Sequence, residues 1–450
     1  QDFQRIMKEF GVDRYRACAT SAIREAKDML ILLDRIYLRT GIRLEVLSNS
    51  EQRFLGYKSI AFNSERFQQI IEKGTAVVDV GGGSIQISLF DKDNLVTTQN
   101  IRLGTLRLRE RLSDVAQRTI RYSDVLEEIM NNELRTYRRL YLKDRNIRYL
   151  MLVGDYIEGI DRYIHRGTKG NQISKEEFIT FYDMFMQKDP ETMAEELGIS
   201  LENSSLLIPT LVIYKRLLEE SGAEKVVTVG MDLGDGLAYD FAEQQKILKS
   251  SHNFENDIIE AARNIAKRYH TNRSHTQVME KISLAMYDKM KQVHGLGKRE
   301  RLLLQIAVLL HDCGKYINMA QSSECSYNII MATEIIGLSH REREIVANVV
   351  RFNSGQVLGY EELASASTLE GKDYMIIVKL TAIPRLANAL DRSHKQKIKE
   401  VRVSWKDAHT MQLLVDTLED LTLEQALFME KAELFEEVFS IHPVLKAKRL

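Results

Sequence analysis

Residues 76–86 read Ala76-Val77-Val78-Asp79-Val80-Gly81-Gly82-Gly83-Ser84-Ile85-Gln86. The short apolar run is a buried strand that delivers one carboxylate, Asp79, into a turn of three consecutive glycines. Without side chains the turn lets backbone N–H groups converge on an anion, while the carboxylate beside it holds a cation or its water. That is phosphate-site chemistry; a tight hairpin needing positive φ is the other reading. The stretch is neither a P-loop, which needs Gly-Lys-Ser/Thr, nor a dinucleotide fingerprint, because a strand follows where a helix would have to.

Outward from this turn, Ile85 to Phe90, a turn at Asp91–Asn94 and Leu95 to Arg102 read as a strand and hairpin, so one sheet holds strands of both directions. Upstream, Tyr15–Thr20 and Leu44–Leu47 read as strands, and Lys27–Leu38 and Ser50–Phe62 as helices. Downstream, residues 105–146 are helical and charged, Tyr149–Val153 and Lys225–Val229 are buried strands, and Lys175–Gly222 is mostly helix, interrupted at Pro190 and Gly198. Beyond Phe241 the pattern is almost purely helical: Asn256–Tyr269, Thr276–Val293, Arg299–His311, Ala332–Ile336, His340–Arg351 and Met375–Leu390. Two strands, Ile398–Trp405 and Met411–Val415, and a helix, Leu423–Val438, close the chain.

Composition narrows the partners. The 450 residues carry 63 Lys and Arg against 64 Asp and Glu, a net charge of −1, so a nucleic-acid coat or a polybasic membrane protein is not expected. With 44% hydrophobic residues, 28% charged and four prolines, the chain is long enough for several folded domains and has little room for disordered linkers. Cys18, Cys313 and Cys325 are an odd set without paired spacing, which argues against a disulfide framework and for a reducing compartment, the cytoplasm, and Cys313 and Cys325 read as buried thiols. The longest apolar runs, such as Leu302–Leu310, fall short of the ~20 residues of a membrane span. The chain opens on Gln1 in an amphipathic stretch (Phe3, Ile6, Met7, Phe10), and a preceding segment is expected.

Two further stretches suit an anion. In Ala19-Thr20-Ser21-Ala22-Ile23-Arg24-Glu25-Ala26, hydroxyls at a strand end precede a helix carrying Arg24; plain N-capping is the alternative. In Leu47-Ser48-Asn49-Ser50-Glu51-Gln52-Arg53, a carboxylate stands in the first turn of a helix, where an ordinary capping box also places one.

Together these segments resemble the exopolyphosphatase and guanosine pentaphosphate phosphohydrolase (Ppx/GppA) family of the actin and sugar-kinase superfamily, over nearly the whole chain. Ala19–Ala26 is similar to the family's Ala-Thr-Ser-Ala-x-Arg-x-Ala, Glu51-Gln52-Arg53 to its Glu-Ala-Arg, Asp79–Ser84 to its Asp-x-Gly-Gly-Gly-Ser and Leu103–Glu110 to its Leu-Gly-x-x-Arg-Leu-x-Glu, in the same order. The resemblance implies an actin-like (ribonuclease H-like) α/β fold: the remainder of lobe I at 1–74, lobe II at 75–250, a helical HD-like domain at 251–396 and a small α/β unit at 397–450. It implies Glu51 as the general base activating water, Asp79 as a ligand of Mg²⁺ or Mn²⁺, and Thr20, Ser21, Arg24, Gly81, Gly82, Gly83 and Ser84 as the phosphate-binding set. The implied reaction releases terminal phosphate from inorganic polyphosphate or guanosine pentaphosphate, and the implied assembly is a homodimer. Departures accompany the likeness. The family's first phosphate loop is absent, Gln86 stands where a Glu is usual, a Gly-Thr-rich loop becomes Val153–Gly159, and Leu-Arg-Glu-Gly becomes Leu233-Gly234-Asp235-Gly236.

The helical part carries His275, His311-Asp312 and Asp391 in the order of the HD superfamily, His…His-Asp…Asp. Two imidazoles and two carboxylates from separate helices suit a single divalent metal, and hydrogen-bonded pairs at helix ends are the alternative. The linking residues lack the further histidines a two-metal centre needs. Two rival functions follow: an HD-type metal phosphohydrolase whose actin-like part senses nucleotide, and a non-catalytic regulator that binds polyphosphate or an alarmone.

Overall fold

The computed structural model describes residues 1–449 except 64–66, 93, 117–121, 144, 155, 166–171, 230–232 and 250–251, and the side chains at 63, 67, 68, 114–116, 202 and 449 also lie outside the description. The chain divides into two compact units, Gln1–Phe254 and Glu255–Leu450. No described helix is long and apolar enough to cross a membrane.

In the first unit a short parallel pair, β1 (Cys18–Ala19) and β2 (Glu45–Val46), stands apart from a six-stranded sheet. That sheet comprises β3 (Thr75–Val80), β4 (Ile85–Asp91), β5 (Asn94–Ile101), β6 (Tyr149–Val153), β7 (Gln172–Ser174) and β8 (Lys225–Val229), in the order β5-β4-β3-β6-β8-β7. β4 is antiparallel to both neighbours, while β3, β6 and β8 run parallel. Numbered from β3 with the edge strand β7 left out, the order is 3-2-1-4-5 with strand 2 reversed, the ribonuclease H-like sheet of an actin-like lobe. All five residues of β6 are buried, as expected of a central strand covered by helices on both faces.

Helix Leu233–Gln244 returns from β8 to pack on helix Asn49–Asn63. The crossing is close enough that a Cβ at Gly236 would lie 2.2 Å from the Leu55 carbonyl oxygen. Beside it, Lys58 donates to Asp240 at 2.7 Å and to Glu243 at 2.6 Å, and Arg16 reaches Asp240 at 2.6 Å, tying the start of the unit to its last helix. The expected interruptions of the 175–222 helix are capping events. Asp189 caps a helix with Pro190 in its first turn, and Gly198 closes that helix in the left-handed region at φ 69°.

The second unit is helical, with a small sheet β11-β10-β9 formed by β9 (Ile398–Asp407), β10 (Thr410–Thr417) and β11 (His442–Arg449). Two readings are corrected. The helix expected at Ala332–Ile336 lies earlier, Ser322–Ala332, and ends where Thr333 turns to extended backbone. Its polar opening (Ser322, Ser323, Glu324) hides the apolar face that Ile329 and Ile330 bury. A third strand, β11, joins β10 in parallel, with helix Thr422–Phe439 as the crossover that a parallel pair needs. Its lysines suit an edge position and mask it in the sequence.

Candidate functional site

The glycine turn leaves the half-buried end of β3 and closes through Gly81 N–H donating to Ser84 O at 3.0 Å. Its carbonyls are occupied from behind. Thr105 N–H donates to Gly81 O and Arg107 N–H to Gly82 O, each at 3.1 Å, both from the first turn of helix Thr105–Ala116. Arg107 Nε donates to Gly83 O at 3.1 Å. The turn thereby satisfies helix N–H groups that would otherwise be orphaned. Among the described residues no protein acceptor takes the N–H groups of Gly82, Gly83 or Ser84. Three adjacent donors in that state are available to an anion. Gly104 makes the approach sterically feasible: a Cβ there would lie 2.3 Å from Gly82 O and Ser84 N.

Segment 20–25 lies against this turn. A Cβ at Gly83 would sit 3.8 Å from Ser21 Cβ and from Glu25 Oε1, and Arg107 bridges the two stretches through Glu25 Oε2 at 3.0 Å. Thr20 precedes the short helix Ser21–Arg24 without spending its hydroxyl on a cap. Arg24 donates to Leu47 O and to Asn49 Oδ1, each at 2.5 Å, so its guanidinium fixes the corner that starts helix Asn49–Asn63. Burial holds its pKa below the ordinary guanidinium value, against the pull of Glu25 and Glu51.

Glu51 stands in the first turn of that helix. Its Oε2 accepts from Ser48 N–H at 2.9 Å and from Ser48 Oγ at 2.6 Å, while Glu51 N–H donates back to Ser48 Oγ at 3.3 Å. The capping box is therefore present, and it immobilises one carboxylate oxygen. Oε1 has no hydrogen-bond partner among the described residues. A fixed carboxylate with one open oxygen is able to hold and deprotonate a water.

Across the sheet, Asp79 pairs in register with Gln86, and Gln86 with Asn100. Directly opposed residues share a face, so one carboxylate and two amides form a row. Gln86 Oε1 and Asn100 Oδ1 are buried without a partner. An all-oxygen set of this kind fits a hard divalent cation such as Mg²⁺.

Against known families, residues 1–245 match the model described as Ppx/GppA phosphatase family, and residues 259–437 match Ppx/GppA phosphatase, domain III. The chain belongs to the Ppx/GppA phosphatase family. It is accordingly a hydrolase. A guanosine-5'-triphosphate,3'-diphosphate pyrophosphatase of Photobacterium profundum is 18% identical over 384 residues, 85% of this chain and 74% of the relative. One from Vibrio atlanticus is 20% identical over 395 residues, with the same shares. Among solved structures, an Aquifex aeolicus Ppx/GppA family member aligns with TM-score 0.43 at 18% identity, covering 56% of this chain and 80% of that one. An exopolyphosphatase from Cytophaga hutchinsonii aligns with TM-score 0.45 at 16% identity, covering 54% and 79%.

Two participants in this Ppx/GppA phosphatase escape a reading of the sequence alone. Arg107 is visible as a motif residue, yet its bonds to Gly83 and Glu25 join positions 24 and 82 residues away. Asn100 enters only through strand register.

The second unit brings together all four expected metal-site residues. His275 Nδ1–H donates to Asp391 at 2.8 Å, His311 Nδ1–H donates to the Val308 carbonyl at 2.8 Å, and the two rings lie 5.2 Å apart. Burial pulls the His311 pKa down to about 4. Lys315 Nζ sits 2.8 Å from Asp312 Oδ2, and among the described residues no three His, Cys, Asp or Glu groups are arranged to hold an ion. His275 and Asp391 form a hydrogen-bonded pair, Lys315 holds Asp312, and His311 Nε2 is buried without a hydrogen-bond partner.

Proposed function

We propose that this Ppx/GppA chain is a Mg²⁺-assisted phosphohydrolase that releases terminal phosphate from inorganic polyphosphate, with guanosine pentaphosphate as the second substrate. The observation that carries the reading is the row of three N–H groups, Gly82 to Ser84, that no protein acceptor takes, lying against segment 20–25. The relatives' name, a pyrophosphatase of guanosine-5'-triphosphate,3'-diphosphate, supports the nucleotide as a substrate class.

In this reading the terminal phosphoryl oxygens bind the N–H groups of Gly82, Gly83 and Ser84 and the hydroxyls of Thr20 and Ser21. Arg24 acts by positioning: it anchors the corner that presents Glu51. Glu51 Oε1 takes the proton from a water aligned for in-line attack, the water oxygen bonds to phosphorus, and the bridging oxygen leaves with the shortened chain. Asp79, with the amide oxygens of Gln86 and Asn100 behind it, would hold the cation, which supplies positive charge to the phosphate oxygens when bound. Gln86 contributes no charge, so in this set the negative charge comes from Asp79. The same reading divides the first unit into lobes at 1–74 and 75–250 and gives the second unit a role in dimerisation or in lengthening the substrate channel.

The test is orthophosphate release from polyphosphate and from guanosine pentaphosphate under Mg²⁺, by wild type, Glu51→Gln and His311→Ala. Loss of the base should lower turnover by ~10² to 10⁴ while the fold is kept. His311→Ala should retain turnover. Activity that survives Glu51→Gln and disappears in His311→Ala would transfer the chemistry to the second unit.

A further inference from the structure

After helix Leu233–Gln244 the chain turns back and lays His252 and Phe254 against helix Asn49–Asn63, the helix that presents Glu51. The Tyr57 hydroxyl is hydrogen-bonded to His252 Nε2 at 2.7 Å, across 195 positions of sequence. Around that bond the rings meet edge-on: Phe254 lies 5.3 Å from Tyr57 at 87° and 5.6 Å from Phe54 at 81°. Edge-to-face pairing at such distances is a favoured geometry of aromatic side chains. Tyr57 and Phe254 are both buried, so the contact is withdrawn from solvent.

Tyr57 also reaches the sheet. Its ring centroid is 5.2 Å from that of Phe90 in β4. Alternate residues of a strand share a face, so Phe90 lies on the face of Ser88 and Gln86, and Gln86 opposes Asp79 at the strand end beside the glycine turn. Other contacts of helix Asn49–Asn63 serve a different purpose. Gly236 and the pairs of Lys58 with Asp240 and Glu243 tie it to helix Leu233–Gln244, helix against helix.

Two points therefore hold this helix relative to the sheet and its turn. At the start, Arg24 binds Leu47 O and Asn49 Oδ1 from the segment that lies against Gly83. Further along, Tyr57 bears on Phe90, eight residues and ~12 Å beyond Asn49 at ~1.5 Å per residue. A rod held at one end swings and turns about its own axis, and a second hold removes both motions. Glu51 stands between the two points, two residues from Asn49. Misplacing a reacting group by ~1 Å costs ~10²-fold in rate, and a carboxylate this close to the remaining pivot moves by less.

We propose that Tyr57, held by His252, is a positioning residue that sets helix Asn49–Asn63, and with it Glu51, against the sheet that carries the glycine turn. The proposal rests on the phosphohydrolase reading and adds to it two residues that act through Glu51 rather than on the substrate. An ordinary core aromatic contributes stability alone. A positioning residue contributes to the rate of the chemical step and leaves substrate binding, which the N–H groups of Gly82 to Ser84 supply in that reading, as it was.

The experiment compares Tyr57→Phe, His252→Ala and His252→Gln in the full chain, by tripolyphosphate hydrolysis under Mg²⁺ and by amide hydrogen exchange without substrate. Tyr57→Phe keeps the ring and loses the bond, whereas His252→Gln places a terminal amide where Nε2 stood. Tyr57→Phe and His252→Ala should lower kcat roughly three- to tenfold with KM within about twofold of wild type. Both should speed exchange in helix Asn49–Asn63 while helix Leu207–Ser221 exchanges as before. His252→Gln should return both readouts to near wild type. Unchanged exchange in helix Asn49–Asn63, wild-type kcat in Tyr57→Phe and His252→Ala, or a His252→Gln variant no better than His252→Ala overturns the proposal. A wild-type chain that releases no phosphate, with the exchange results as expected, counts instead against the hydrolase reading.

Discussion

His294 has no exposed surface, and both ring nitrogens are committed: Nε2–H donates to Tyr287 O and Nδ1 accepts from Leu296 N–H, each at 2.9 Å. Protonation would break the second bond, and burial places the pKa below the ordinary value. A depressed histidine lets the unfolded chain bind a proton that the native chain refuses, so stability is full above ~6.5 and declines as pH falls below it. Calorimetry should find the melting temperature lower at about pH 5.5 than at about pH 7. His294→Asn should reduce that difference without abolishing it, because His311, His340 and His394 are shifted the same way. A melting temperature that rises on acidification contradicts this. Legibility at this scale was uneven. Glu51 was readable from its three-residue spacing to Ser48, since a capping box is local, and so were the glycines. Asn100 and the bonds of Arg107 were not, because they depend on which strands meet.

Elements meet most tightly where glycine permits it. Gly104→Ala places a methyl 2.3 Å from turn backbone that cannot move aside without disturbing the N–H groups of Gly82 to Ser84. We expect it to cost about 1–3 kcal/mol of stability and to reduce phosphate release at least tenfold, read from the melting temperature and turnover together. A variant with wild-type turnover would separate the turn from the chemistry. Gly236→Ala, 2.2 Å from the Leu55 carbonyl, should destabilise the first unit by a similar amount through the helix crossing alone. Strands β3, β6 and β8 could be read directly because each is a nearly continuous apolar run, and β4 because apolar and polar residues alternate along most of it. β11 could not: its pairing is through the backbone, and Lys446 and Lys448 conceal it.

For the whole molecule, a balanced net charge of −1 conceals an asymmetry, with cations concentrated in residues 102–148 of the first unit. Composition argues against a general polyanion coat and does not reveal this local run of cations. The stretches at 20, 51, 79 and 107 each lie at or near the start of a helix or the end of a strand. The account stands on Glu51 directing water at a phosphate cradled by the turn. The most direct measurement is a pair of constants for Glu51→Gln, the affinity for tripolyphosphate and the single-turnover rate of its cleavage. Affinity within about twofold of wild type with a rate lower by ~10² or more is the predicted result, and an unchanged rate would contradict it.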